Sequence, residues 1–149
     1  MSIFFLGGLM SDVKENVKEC LSAVKTISVA TSVDDKPSCR IMELQKVDDD
    51  LKIWLVTHNN SLKIKQLNKN SSACIVSFNH ETAKDIRLYG KMDIRTDREA
   101  KEYVWKDDLN KYFEDGINDP LFAVLTFSPE RLEFRDIKKG SLFPEVENL

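Results

Sequence analysis

The sequence predicts an α+β fold built mainly on an antiparallel β-barrel of six or seven short strands, with a few peripheral helices. Several segments alternate apolar and polar residues with a period of two, which is typical of half-buried strands. Turn residues separate them, and few helical segments lie between them. This arrangement favours an antiparallel barrel over a parallel, doubly wound sheet.

Length and composition indicate one ordinary globular domain. The chain has 149 residues, 42% of them apolar and 32% charged, which is enough to bury a core without disulfides. Lys and Arg total 22 against 25 Asp and Glu, and the sequence has no long basic run, so we do not expect nucleic acid as a partner. The 3 cysteines are widely spaced and odd in number, which favours a reducing cytoplasm over a secreted disulfide framework.

The chain start does not fit a targeting signal. Residues 1–10 are apolar but lack a basic segment and a cleavage site, and they are too short to span a bilayer, so we expect no membrane partner. We interpret 1–10 as a vector-derived or upstream-start extension. The predicted domain covers 11–137, and 138–149 is predicted to be a C-terminal tail.

The first half of the chain reads as a helix, three strands, a second helix and a fourth strand. Ser11 and Asp12 are predicted to cap a helix over 12–25. Strands are predicted from Thr26 to Val33, over 38–47 and over 51–57, and we expect these three to be sequential antiparallel neighbours. A short helix from Ser61 to about 68 and a strand over 72–78 follow.

The second half contains two short helical segments between strands. A strand is predicted over 86–94, and Thr96 with Glu99 forms a capping box for a helix to about Lys106. A further short helix over 108–114 is predicted to stop at Gly116. Strands over 121–127 and 131–136 complete the pattern.

The most informative local feature is the polar junction between the third strand and the second helix, from Thr57 to Lys63. A helix start presents unpaired backbone N–H groups that favour anions. Lys63 in the first turn opposes the helix dipole unless an anion lies nearby, so it indicates a bound phosphate. The alternative is that Ser61 only caps the helix and Lys63 is solvated.

Arg40 is the second candidate for the same phosphate. It lies near the middle of the second predicted strand, from which its guanidinium can turn toward the end of the third. The alternative is an exposed cross-strand ion pair, which for a strand arginine taken alone is the commoner case.

A series of short motifs carries a family resemblance over roughly 13–136. In order they are Arg40-Ile41-Met42, Trp54-Leu55-Val56-Thr57, Ser61-Leu62-Lys63, Tyr89-Gly90, Trp105, Tyr112-Phe113, Gly116, Asp119-Pro120 and Ser128-Pro129-Glu130-Arg131. Their order and spacing resemble the FMN-binding split barrels similar to pyridoxamine 5'-phosphate oxidase, in the branch of general stress protein 26. The resemblance implies a split barrel and an FMN-binding homodimer.

The resemblance also implies roles for particular residues. Arg40, Thr57, Ser61 and Lys63 would hold the FMN phosphate, with Leu62 beside them. Trp105 would approach from the partner protomer, although a large aromatic is more often core or interface packing. The isoalloxazine would be lined by Ile41, Met42, Glu43 and Val56.

Two departures limit what the resemblance implies. The chain lacks the Arg-x-His segment that true pyridoxamine phosphate oxidases carry near the C-terminus, so vitamin B6 oxidation is not expected. The chain has Phe134-Arg135-Asp136 where relatives often have a tryptophan before the aspartate, which leaves the pocket rim undefined.

The remaining candidates favour structural interpretations. His58 and His80 lack clustered partners, so no metal site is predicted. Cys39 beside Arg40 could be an activated thiol, but alternation points it to the opposite face, and a structural cysteine is the commoner case. No catalytic residue is assigned.

Three functions stay open at this point. The first is an FMN-dependent oxidoreductase that takes electrons from a reduced nicotinamide, NAD(P)H, and passes them to a small acceptor. The second is a non-catalytic binding module for FMN or another flat cofactor such as haem or a deazaflavin. The third is a dimeric interaction domain that has lost its cofactor.

Overall fold

The computed structural model describes residues 13–149. The helices are α1 (13–22), α2 (Leu62–Lys69) and α3 (Arg98–Val104). Short 3-10 helices cover Asp107–Lys111, Gly116–Asn118 and Ile137–Lys139. The strands are β1 (Thr26–Val33), β2 (Lys36–Glu43), β3 (Lys46–Val47), β4 (Ile53–His58), β5 (Ser72–Asn79), β6 (Lys84–Arg95), β7 (Phe122–Asp136) and β8 (Glu145–Asn148).

All strands belong to one antiparallel sheet in the order β2-β1-β5-β6-β7-β4-β3, and β8 pairs with β7. The sheet curls into a half-barrel, so that residues of β2 and β4, far apart in the strand order, line one cleft. The predicted α+β split barrel is therefore confirmed. Two short strands, β3 and β8, add to the expected set, and β8 lies within the predicted C-terminal tail.

The predicted pairing of the second and third strands is wrong. β2 ends at Glu43 and, within the described residues, pairs with β1 alone, whereas β4 pairs with β7 and with the two-residue β3. The segment predicted as one strand over 38–47 breaks after Glu43, and its last two residues start a separate hairpin with β4. The sheet therefore brings β2 and β4 together through its curl and not through a ladder.

The β1–β2 hairpin has the tight turn that its sequence suggests. Asp34 and Asp35 have φ values of 52° and 60°, as in the two-residue turns that suit twisted hairpins. Lys36 and Pro37, which lie between the first two predicted strands, belong to β2.

The two last predicted strands form the single strand β7. Pro129 does not interrupt it because a bulge shifts the register opposite Tyr89 and Gly90 on β6. A Cβ at Gly90 would overlap the backbone carbonyl oxygen of Ser128, so only glycine allows the two strands this approach. The bulge converts two short strands into one long, bent strand.

The helix boundaries differ in detail from those predicted. α1 ends at residue 22 and not at 25, and its predicted cap at Ser11 and Asp12 lies outside the described residues. The cap of α3 is Asp97, whose side chain accepts the Ala100 N–H, so the predicted Thr96 capping box is wrong. Asp97 is also fixed by Arg95, whose guanidinium donates to both of its oxygens and lowers its pKa to about 2.

The segment after α3 is less regular than predicted. α3 stops at Val104, two residues early, and the expected helix over 108–114 is a 3-10 helix, Asp107–Lys111. Gly116 opens the next 3-10 turn with a φ of 60°, which suits glycine. These short turns lay aromatic side chains against β4 and β7.

Two apolar clusters pack on opposite faces of β4 and β7. The larger one joins α1 and α2 to residues of β1, β5, β6 and β7. The smaller one lies under α3 and the 3-10 helix and is centred on Phe122, which is fully buried. Its members are Trp54, Ala100, Val104, Leu109, Phe113, Phe122 and Val124. Burial on both faces explains the continuous apolar run at the start of β7.

Candidate functional site

The junction of β4 and α2 gathers three of the predicted phosphate ligands. The Lys63 ammonium donates to the Thr57 hydroxyl at 3.0 Å, and the Thr57 and Ser61 hydroxyls lie 3.3 Å apart. Ser61 is the N-cap residue of α2, yet its side chain makes no capping hydrogen bond. The first turn of α2 has no acidic residue. This end of the helix therefore presents hydroxyls, an ammonium and backbone N–H groups to the same space.

Arg40 reaches this region from β2 and forms no ion pair with any residue of the described range 13–149. Its guanidinium donates to the Val29 carbonyl at 3.2 Å, to the Thr31 hydroxyl at 2.9 Å and to the amide oxygen of Gln66 at 2.7 Å. Since Gln66 lies on α2, Arg40 is tied to the helix that carries Lys63. The guanidinium of Arg40 thus bonds to neutral groups and not to a carboxylate on a neighbouring strand.

The two cations have no carboxylate partner among residues 13–149. Both are half-buried. Burial lowers the pKa of Arg40 and of Lys63, and the positive charge of Arg40 lowers the pKa of Lys63 further. Two neighbouring positive charges without a counter-charge destabilise each other's charged form. A bound anion would stabilise the charged form of both residues.

A cleft of about 250 Å³ opens beside this cluster. Six predicted site residues line it, namely Ile41, Met42, Glu43, Val56, Thr57 and Lys63. Its lining combines apolar and aromatic side chains with polar ones, as ligand-binding clefts in proteins commonly do.

The other predicted site residues lie around or away from the cleft. Arg40 and Ser61 belong to the polar cluster at its end, and Leu62 is 68% exposed on the first turn of α2. Trp105 packs within its own chain, edge-on to Phe122 with ring centroids 5.5 Å apart. It does not line the cleft of its own chain. Its predicted role toward a partner's cofactor stays a prediction.

One wall of the cleft was not predicted from the sequence. It consists of Gln45, His58, Leu109, Tyr112 and Phe113. The ring nitrogen Nε2 of His58 lies 2.9 Å from the Tyr112 carbonyl oxygen, and the His58 ring packs on Phe113. The signal available in the sequence was the Tyr112-Phe113 pair, which the family resemblance included without a role.

The remaining candidates do not join the site. Cys39 is exposed, and in the described part of the chain no group of three potential ligands could hold a metal ion. Trp54 is core packing, since it is buried in the smaller apolar cluster. Its ring is tilted against that of Tyr103, and its indole N–H donates to Asp48 at 2.8 Å. None of the described helices is long and apolar enough to cross a bilayer.

Comparison with known proteins identifies the family. The family model for pyridoxamine 5'-phosphate oxidase-like proteins matches residues 12–147. The chain belongs to this family. It is also 30% identical to general stress protein 26 of Bacillus subtilis over 122 residues, which is 80% of this chain and 85% of that protein.

Solved structures agree with the fold. A protein related to general stress protein 26 from Clostridium acetobutylicum superposes with a TM-score of 0.80 at 24% identity, over 93% of this chain and 95% of that one. A general stress FMN/FAD binding protein from Xanthomonas citri gives 0.75 at 18% identity, over 93% and 98%. A heme binding protein from Mycobacterium smegmatis gives 0.72 at 14% identity, over 91% of this chain and 57% of that one. Proteins of this fold thus carry names that specify different cofactors.

Proposed function

We propose that this protein binds FMN in the cleft between β2, β4 and α2. The observation that carries the proposal is the pair of half-buried cations, Arg40 and Lys63, without a carboxylate partner among the described residues. A dianionic phosphate would satisfy both through charge-assisted hydrogen bonds. The hydroxyls of Thr57 and Ser61 would supply further donors.

The residues fit FMN in position as well as in charge. Arg40, Thr57, Ser61 and Lys63 would hold the phosphate. Leu62 would cover it from the first turn of α2. Ile41, Met42, Glu43 and Val56 would line the ring, and they border the cleft next to the cationic cluster. The Xanthomonas citri protein, named for FMN/FAD binding, supports the choice of FMN.

We propose that the holoprotein is an oxidoreductase. When bound, FMN would take electrons from a reduced nicotinamide and pass them to a small acceptor. The chain's own residues would bind and orient the flavin and exclude water from one side of the ring. We also propose a cytoplasmic location, since Cys20, Cys39 and Cys74 are free thiols.

Cofactor content tests the binding proposal. We expect freshly purified protein, or protein incubated with FMN and desalted, to show a flavin spectrum and to release about one FMN per chain. A haem spectrum would instead favour the alternative of a binding module for another flat cofactor, which the Mycobacterium smegmatis relative suggests. If no chromophore is retained under either condition, the cofactor proposal is wrong.

Turnover separates an enzyme from a carrier. We expect the holoprotein to oxidise NADH or NADPH in the presence of quinone, nitro or ferric acceptors. If bound flavin is present but no acceptor supports turnover above free FMN, the protein is a binding module and not an oxidoreductase.

We propose that the protein acts as a homodimer. Ile41 at the cleft and Leu62 at the helix start are 66% and 68% exposed, so removing both from water would favour association. A second copy would cover them, and its Trp105 would close the partner's cleft. We expect sedimentation to give a dimer, and a monomer that retains FMN would contradict the proposal.

A further inference from the structure

Gln66 is the most connected polar residue beside the cationic cluster. Its amide oxygen accepts from the Arg40 guanidinium at 2.7 Å and from the Thr31 hydroxyl at 2.8 Å. Its amide nitrogen donates to the Ser38 hydroxyl at 3.0 Å. Two donors converge on one amide oxygen, which fixes the orientation of the amide.

The network closes on itself around Arg40. Thr31 accepts from one guanidinium nitrogen of Arg40 and donates to Gln66, while Gln66 accepts from the other nitrogen. Thr31 is only 3% exposed, so these bonds form away from bulk water, where hydrogen bonds are stronger. This closed set of three hydrogen bonds therefore holds the plane of the guanidinium in one orientation.

Gln66 also links two parts of the site that the sheet order keeps apart. Arg40 lies on β2 at one end of the sheet, and Thr57 lies on β4 near the other end. No ladder connects these strands. Gln66 is on the same helix as Lys63, three residues later, and it is the contact that ties Arg40 to α2. Its neutral amide does so without cancelling the positive charge.

We infer that Gln66 is a positioning residue that aims Arg40 at the ligand phosphate and so sets the preference for a phosphorylated flavin. This inference rests on the proposed FMN site. Three guanidinium bonds go to neutral acceptors, on Val29, Thr31 and Gln66. Because a guanidinium has five N–H donors, two are left for the phosphate. A glutamate at position 66 would instead pair with Arg40 and repel the phosphate.

The test compares FMN with riboflavin, which has the same ring and no phosphate. Dissociation constants are measured by quenching of flavin fluorescence for the wild type, Gln66→Met and Gln66→Glu. Asn68→Met is the matched control, because it removes an exposed amide from the same helix. Thermal unfolding of each apoprotein checks that every variant is folded.

The inference predicts a selective loss. The ratio of riboflavin to FMN dissociation constants should fall about tenfold in Gln66→Met and about a hundredfold in Gln66→Glu, as expected for loss of one charge-assisted hydrogen bond and for added repulsion. Riboflavin binding itself should stay within about twofold of wild type, and Asn68→Met should keep the wild-type ratio.

Two other results would overturn the inference in different ways. If the wild type prefers FMN but Gln66→Met keeps that preference, or weakens both flavins equally, Gln66 is only structural. If the wild type binds FMN and riboflavin with equal dissociation constants, the proposed phosphate site is wrong, and so is the proposed role of Gln66.

Discussion

Removing either cation of the site should weaken FMN binding by about two orders of magnitude. Lys63→Gln and Arg40→Ala each take away a half-buried charge that has no carboxylate partner among the described residues. A charge-assisted hydrogen bond contributes about 1.5–3 kcal/mol, and every 1.4 kcal/mol is a factor of ten in affinity. The measurement is an FMN titration by calorimetry at fixed salt.

Lys65→Gln is the matched control for Lys63→Gln. Lys65 lies on the same helix two residues away and is exposed. The Lys65→Gln variant therefore loses the same net charge without changing the cluster. We expect the FMN dissociation constant of Lys65→Gln to stay within about threefold of wild type, since exposed charges are screened by salt. If both lysine variants weaken FMN equally, long-range charge and not a phosphate site explains the binding.

The pH dependence follows from the same geometry. Burial and Arg40 both lower the pKa of Lys63 in the free protein, so the neutral lysine becomes populated at a lower pH than for an ordinary lysine. A neutral amine binds phosphate poorly, and FMN affinity should therefore fall as the pH rises through this lowered pKa. The Lys63→Gln variant should lack this decrease.

Phe122→Ala should cause the largest loss of stability of any single substitution beside the cleft. Phe122 is fully buried at the start of β7, with ring centroids 4.8 Å from Phe113 and 5.5 Å from Trp105. Truncation of a buried phenylalanine costs about 3–5 kcal/mol through lost apolar burial and the remaining cavity. Urea unfolding of the apoprotein measures the change in the free energy of unfolding.

Phe122→Leu provides the comparison. It keeps most of the volume and should cost less than about 2 kcal/mol. Because Phe113 lines the cleft and packs on Phe122, we also expect Phe122→Ala to weaken FMN binding more than Phe122→Leu does. If the two variants are equally stable, the smaller apolar cluster does not support this side of the fold.

Local sequence signals are sufficient to predict that the polar residues of the β4–α2 junction lie close together. Thr57 ends a strand, Ser61 opens a helix and Lys63 lies in its first turn, and these short-range relations fix their closeness. Arg40 reaches α2 through Gln66, but not by the predicted pairing of its strand with the third predicted strand. β2 is not paired with β4, and only the curl of the whole sheet brings them together. Curl depends on long-range packing that no local pattern encodes.

Three features cannot be predicted from local sequence patterns, each for its own physical reason. The wall from Leu109 to Phe113 is built on a 3-10 helix and turns, which have no long periodic signal. Gln66 looked like any polar residue on a helix surface, because its three partners lie on β1 and β2. Pro129 suggested a strand end, whereas a bulge accommodates it within β7.

A crystal structure of the protein with bound FMN tests the central claim most directly. We predict the phosphate within hydrogen-bonding distance of Arg40, Ser61 and Lys63, at the start of α2, with the ring in the cleft between β2 and β4. Flavin bound elsewhere, with this cluster unchanged and in contact only with solvent, would contradict the account.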